Sequence, residues 1–125
     1  MKRWPKCSFF AVYDGHGGNA CADFLKDNLH QFIVRQPCFP NDVELAIING
    51  CKDLSDYQMK KTSEEDRSGS CAICILIVDK KAYAINVGDS RAILSKNHGK
   101  VRVDLSDDHR PDAVVEKDRI INNGG

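Results

Sequence analysis

The residues of this chain best suited to chemistry lie between 9 and 18, in "FFAVYDGHGG", where an apolar run ends at Asp14 and Gly15, His16, Gly17 and Gly18 follow at once. A carboxylate is ionised at neutral pH, and an imidazole exchanges a proton near neutrality. Set two residues apart among glycines, they admit three uses. The simplest is a tight turn, in which Asp14 accepts backbone N–H groups and the glycines take positive φ. A strand, a glycine-rich turn and a helix in succession also suggest a phosphate loop, but the full G-x-G-x-x-G is absent and the Asp14 carboxylate would repel the anion. The third use exploits that repulsion. A poorly solvated carboxylate at the mouth of an apolar sheet is compensated by a hard divalent cation. Its two oxygens can bridge two ions about 3.5–4 Å apart, which would activate a water and neutralise a phosphoryl group. Gly15 would then bring its backbone carbonyl into the coordination, and His16 would protonate a leaving alkoxide.

Two further stretches hold candidate groups. "INVGDSRAIL" sets Asp89 after Gly88 at the end of another apolar strand, where an Asx-turn alone would account for it. "LSDDHRP" supplies Asp107, Asp108, His109 and Arg110 before Pro111; either aspartate is expected to cap the helix that follows, with Asp108 and His109 as a metal pair the weaker option. His30 and His98 are expected to face solvent. Cys71 and Cys74 have C-x-x-C spacing, but on a strand they point to opposite faces and cannot chelate one ion.

The elements that carry these residues follow from hydrophobic periodicity. A strand is expected over 8–13 and a helix over 19–35, with Cys21, Phe24, Leu25, Leu29, Phe32 and Ile33 on its apolar face. A second helix is expected after Asn41 as N-cap with Glu44 three residues on, burying Val43, Ile47, Cys51 and Leu54 and weakened by Gly50. The polar stretch 60–69 is a loop. Beyond it "CAICILIV", "AYAINV", "RAILS" and "VRVDL" read as an antiparallel meander, and "RPDAVVEKDRIINNGG" as a short helix closed by Gly124 or Gly125. The order gives an α+β fold. One tension remains: "CAICILIV" is apolar on both faces and asks for helices on one side and a sheet on the other, yet too few strands are present for two packed sheets. The chain is therefore expected to be incomplete at both ends.

Length, at 125 residues, fits one domain, and the 42% of hydrophobic residues is enough for a core. Lysine plus arginine and aspartate plus glutamate both number 18, so no global field favours nucleic acid or an anionic membrane, and charge chemistry must be local. The longest apolar run is far shorter than the roughly 20 residues a spanning helix needs. Six cysteines could form a disulfide framework, but Cys21, Cys51, Cys71 and Cys74 read as small hydrophobes, and a cytoplasmic or nuclear setting is expected.

Taken together, "FFAVYDGHGG", "SGSCA", "INVGDSRAIL", "LSDDHRP" and "EKDRIINNGG" resemble, in type, order and approximate spacing, the motifs of the protein phosphatase 2C family of metal-dependent protein serine/threonine phosphatases, from about Phe9 to the last residue. The resemblance implies a four-layer αββα sandwich with a binuclear Mn²⁺ or Mg²⁺ centre at one edge of its two sheets. Residues 1–125 would be one part of that catalytic domain. It implies that Asp14 bridges the two ions, that Gly15 gives its carbonyl to one of them, and that His16 is the general acid for the departing serine or threonine oxygen. Asp89 would match the position that binds a weaker third ion in some members. Cys71 stands in "SGSCA" where the family usually has a hydroxyl residue, at a packing position. Phosphorylated proteins are the implied substrates, and the complete domain a monomer.

The family also carries, ahead of the first strand, an arginine that holds the substrate phosphate and an acidic metal-binding motif. After the glycine pair it carries a further sheet segment and two more acidic motifs. None of these stands in the present sequence, so weak metal binding and little turnover are expected of this chain alone, and its uncovered apolar faces should leave it poorly folded or self-associating. A non-catalytic module binding a protein partner through the same fold is the alternative. It would leave the retention of both Asp14 and His16 without a chemical reason.

Overall fold

The computed structural model describes residues 3–125. Aromatic and β-branched residues open strand β1 (Cys7–His16), and Gly17, at φ 67°, ends it. The strand is longer than its apolar run: Asp14, Gly15 and His16 pair with Cys71, Ser70 and Gly69 of strand β2 (Gly69–Val78), so the backbone ladder continues through residues expected to form the hinge. β2 also pairs antiparallel with strand β3 (Lys81–Val87), giving a three-stranded sheet in the order β1-β2-β3.

Between β1 and β2 run helix α1 (Ala20–Val34) and helix α2 (Val43–Lys61), which pack on each other and on one face of the sheet. Leu25, Leu29 and Ile33 of α1 meet Ala46 and Leu54 of α2 over Cys74, Leu76 and Ile85 of the sheet. The N-cap of α2 is Asp42, not Asn41: its carboxylate accepts the Leu45 N–H at 3.0 Å. The buried stripe accordingly runs through Val43, Ala46, Gly50 and Leu54, with Ile47 and Cys51 at its margin. Gly50 is there because the helices touch. A Cβ on it would lie 2.8 Å from the Ile33 Cα and 2.9 Å from the Phe32 carbonyl oxygen.

The expected single meander divides in two. Gly88, at φ 107°, turns the chain out of the first sheet, and strands β4 (Ile93–Lys96) and β5 (Val101–Asp104) form a separate antiparallel hairpin. Helix α3 (Val114–Asn122) follows and ends in a Schellman arrangement: Gly124, at φ 88°, donates to the Ile121 carbonyl and Gly125 to that of Ile120. Neither Asp107 nor Asp108 caps it; its N-cap is Ala113. No residue of α3 is buried, and Val114 and Val115 are largely exposed.

The α+β class is as expected, with one layer of two helices packed on a three-stranded sheet. The far face of that sheet carries Phe10, Val12, Ile73, Ile75 and Ile77, and Phe10 and Val12 are 62% and 64% exposed. β1 thus has one open apolar side. His30 is half-buried against Phe9 rather than solvent-facing, with ring centroids 6.1 Å apart. All six cysteines are free, Cys21 and Cys74 in the core and Cys7 at the surface. No helix among the described residues is long and apolar enough to cross a membrane.

The α1–α2 contact gives a sharp expectation. Alanine normally stabilises a helix interior over glycine by up to about 1 kcal/mol. At Gly50 the added methyl would press on backbone that cannot move aside, and overpacking of this kind costs about 1–3 kcal/mol. Gly50→Ala should therefore shift the urea midpoint down; an upward shift would mean that the helices are not in this contact.

Candidate active site

Strand alternation decides where the β1 side chains go. Tyr13 packs toward the helices, and Gly15 does too: a Cβ there would stand 3.1 Å from the Ala22 Cβ of α1. Asp14 and His16 therefore share the opposite, open face with Phe10 and Val12, and both are exposed. Two residues of strand separate their Cα atoms by about 6.5 Å.

Their neighbours follow from the ladder. Asp14 lies opposite Cys71, and the Cys71 Sγ reaches the Asp89 carboxylate at 3.4 Å. Cys71 thus sits between the two candidate carboxylates and places them at the same end of the same sheet. It also sets the size of its neighbour, since a Cβ on Gly88 would fall 2.5 Å from the Cys71 Sγ. His16 lies opposite Gly69, over which its ring is laid: a Cβ there would come within 2.4 Å of Nε2. Gly17 is required twice over, by its positive φ and by the Arg67 carbonyl oxygen 2.7 Å from where a Cβ would stand.

Two loops brace this end of the sheet. Ser68 Oγ accepts the Cys21 N–H at 3.1 Å, capping the start of α1, where Asn19 supplies no side-chain cap. Asp66 in turn accepts the Ser68 N–H at 2.9 Å, and that bond holds its carboxyl below the usual range. The "LSDDHRP" segment clamps the Asp89 turn. His109 exchanges two bonds with Gly88, its N–H donating to the Gly88 carbonyl at 2.8 Å and its Nδ1 accepting the Gly88 N–H at 3.3 Å. Asn86 donates to the Asp107 carbonyl at 2.7 Å, and Arg91 donates two bonds to the Asp108 carboxylate at 3.1 and 2.8 Å. Asp108 and His109 therefore position the turn rather than form a metal pair. Sequence reasoning missed this brace, although the opposite charges of "GDSR" and "DDH" were the available signal.

The donors fit a hard cation. Asp14, Asp89 and the Gly15 carbonyl are oxygen ligands of the kind Mg²⁺ and Mn²⁺ prefer, and no ion pair among the described residues consumes either carboxylate. By themselves they would not complete a coordination shell. Among the described residues no three histidine, cysteine, aspartate or glutamate side chains converge closely enough to hold an ion. On the helix-packed side of the sheet, burial pushes the Cys74 thiol up to about 11 and also raises that of Cys51.

Comparison with known proteins agrees with this fold and these motifs. The sequence model described as protein phosphatase 2C matches residues 3–125, and the chain belongs to the protein phosphatase 2C family. It is 36% identical over 116 residues to probable protein phosphatase 2C 45 of Oryza sativa subsp. japonica, covering 93% of this chain and 40% of that protein. A probable protein phosphatase 2C of Caenorhabditis elegans is 44% identical over 124 residues, covering 97% of this chain and 34% of that protein. The chain thus spans less than half the length of these relatives. Among solved structures, a serine-threonine phosphatase 2C from Toxoplasma gondii superposes with a TM-score of 0.79 at 24% identity, covering 95% of this chain and 45% of that one. A Caenorhabditis elegans sex determining protein superposes with a TM-score of 0.75, also at 24% identity, covering 95% and 30%. At that identity the likeness concerns the fold.

The brace can be tested apart from any activity. The Arg91 guanidinium holds the Asp108 carboxyl below its ordinary range, so the pair contributes at neutral pH and is lost as pH falls through that lowered value. In Arg91→Ala the Asp108 carboxyl should titrate at a higher pH than in the wild type. A carboxyl-carbon NMR titration reads this directly, and an unchanged midpoint would show that Arg91 does not hold Asp108.

Proposed function

We propose that residues 1–125 form part of the catalytic domain of a metal-dependent protein serine/threonine phosphatase. The observation that carries this reading is the shared open face: Asp14 and His16 lie two residues apart on it, with Asp89 reached across Cys71. Asp14 would hold the Mn²⁺ or Mg²⁺ ions through its carboxylate, with the Gly15 carbonyl as a further oxygen ligand. Asp89, across Cys71, would serve a weaker third ion. Bound there, the ions would supply Lewis acidity, acidifying a water and neutralising the phosphoryl group under attack.

The chain's own residues do the rest. Gly17, turning beneath the Arg67 carbonyl, holds the end of β1 in place. His16, anchored over Gly69, gives its proton to the serine or threonine oxygen as the phosphorus–oxygen bond breaks, so that an alcohol and not an alkoxide departs. So small a set of oxygen donors fits a domain whose other acidic ligands, and whose phosphate-binding arginine, would come from segments beyond these residues. Phosphoserine and phosphothreonine proteins would be the substrates, the complete domain would act as a monomer, and the setting would be the cytoplasm or nucleus.

The test uses the full-length protein with Mn²⁺. Asp14→Ala should lower kcat/KM on a phosphoserine peptide by more than roughly 100-fold, since even outer-shell partners of a metal cost 10–100-fold. His16→Gln should lower kcat on the same peptide by about 10²–10⁴-fold. On an aryl phosphate, whose leaving group needs no proton, the His16→Gln loss should be far smaller. Turnover that survives Asp14→Ala, or equal losses on both substrates in His16→Gln, would overturn these assignments.

A further inference from the structure

The end of the sheet opposite Asp14 carries a concave feature. The residues before β1, the loop between α1 and α2 and the β2–β3 hairpin enclose a groove of about 820 Å³. Arg3, Lys6, Lys80 and Lys81 line it, against one carboxylate, that of Asp79. Asp79 is already engaged: it accepts the Lys6 backbone N–H at 3.0 Å, and its own N–H donates to the Lys6 carbonyl at 2.8 Å. A chain with no net charge thus concentrates cations in one cleft. The cleft is also shaped in advance. Trp4 packs on Phe39, with ring centroids 5.6 Å apart, and ties the segment bearing Arg3 and Lys6 to the α1–α2 loop. Asp79, at φ 51°, fixes the hairpin tip that presents Lys80 and Lys81.

We propose that this groove binds an acidic segment of a partner protein. Charge complementarity argues for an anionic ligand, and the remaining lining narrows the class. Val43, Val78 and Tyr83 give apolar and aromatic surface between the cations, on which an extended peptide lays its backbone and stems while its carboxylates reach the lysines. A lipid headgroup layer or a nucleic-acid duplex presents a flat or convex face that does not enter such a cleft. From Lys6 to Asp14 the strand spans roughly 27 Å at about 3.4 Å per residue. The groove is therefore separate from the candidate active site, and a bound partner would leave that site open.

The test is direct binding to the full-length protein and needs no turnover, so it stands or falls independently of the phosphatase reading. A fluorescein-labelled peptide of about eight glutamates is titrated by fluorescence anisotropy, beside a glycine–serine peptide of equal length and anionic lipid vesicles. The glutamate peptide should bind, the glycine–serine peptide should not, and binding should weaken as salt is raised through the physiological range. The double variant Lys80→Glu, Lys81→Glu should weaken it by about tenfold or more. Both lysines are exposed, so the fold is expected to survive, and a circular dichroism spectrum checks this. Arg3→Glu provides a second, independent variant. Binding unchanged in both variants, equal binding of the uncharged peptide, or binding of vesicles without the peptide would overturn the proposal.

Discussion

The register between β1 and β2 is the constraint on which the rest depends. With Asp14 opposite Cys71 and His16 opposite Gly69, the odd-numbered residues Phe9 and Tyr13 join the core under the helices. The even-numbered ones, Asp14 and His16 among them, face away from it. A slip of one residue would exchange the two sets, driving a carboxylate and an imidazole into the helix-packed layer and Tyr13 out of it. Burial of the one face thus fixes the chemistry of the other, and the core and the candidate site are specified by the same ladder of hydrogen bonds.

The glycines and loops around this end of the sheet serve that register. Gly15 lets α1 approach, Gly17 turns the chain beneath the Arg67 carbonyl, Gly69 makes room for the His16 ring, and Gly88 for the Cys71 sulfur. Ser68 joins the start of β2 to the start of α1, and Asp107 to His109 fasten the turn after β3. Each motif that looks local in the sequence is thereby held by a distant one. The candidate site is packed on the side facing the helices and open on the side of Phe10 and Val12.

Much of this was legible in the sequence. The period-3.6 and period-2 patterns gave both long helices and every strand, the Asp-Gly-His-Gly-Gly run marked the candidate site, and the five ordered motifs pointed to the protein phosphatase 2C family. What was missed depended on pairing at a distance. The apolar run alone suggested that β1 stops at Tyr13, because the polar residues after it carry no strand signal of their own; it is β2 that extends them. The split of the meander was hidden because Gly88 and the clamp from His109 act through the backbone. Gly50 read as a weak point in α2 until the closeness of α1 gave it a purpose. The roles of Asp14, Gly15, His16 and Asp89 toward metal and substrate are chemistry assigned on this geometry, and they stand on the proposal above.

The central claim is that Asp14 holds cations on the open face of the sheet. Mn²⁺ binding to the full-length protein, followed by calorimetric titration without substrate, tests it most directly by comparison with Asp14→Asn, which keeps the shape of the side chain and removes its charge. The account predicts that the variant loses high-affinity Mn²⁺ binding while keeping its fold. Unchanged stoichiometry and affinity in Asp14→Asn would contradict it.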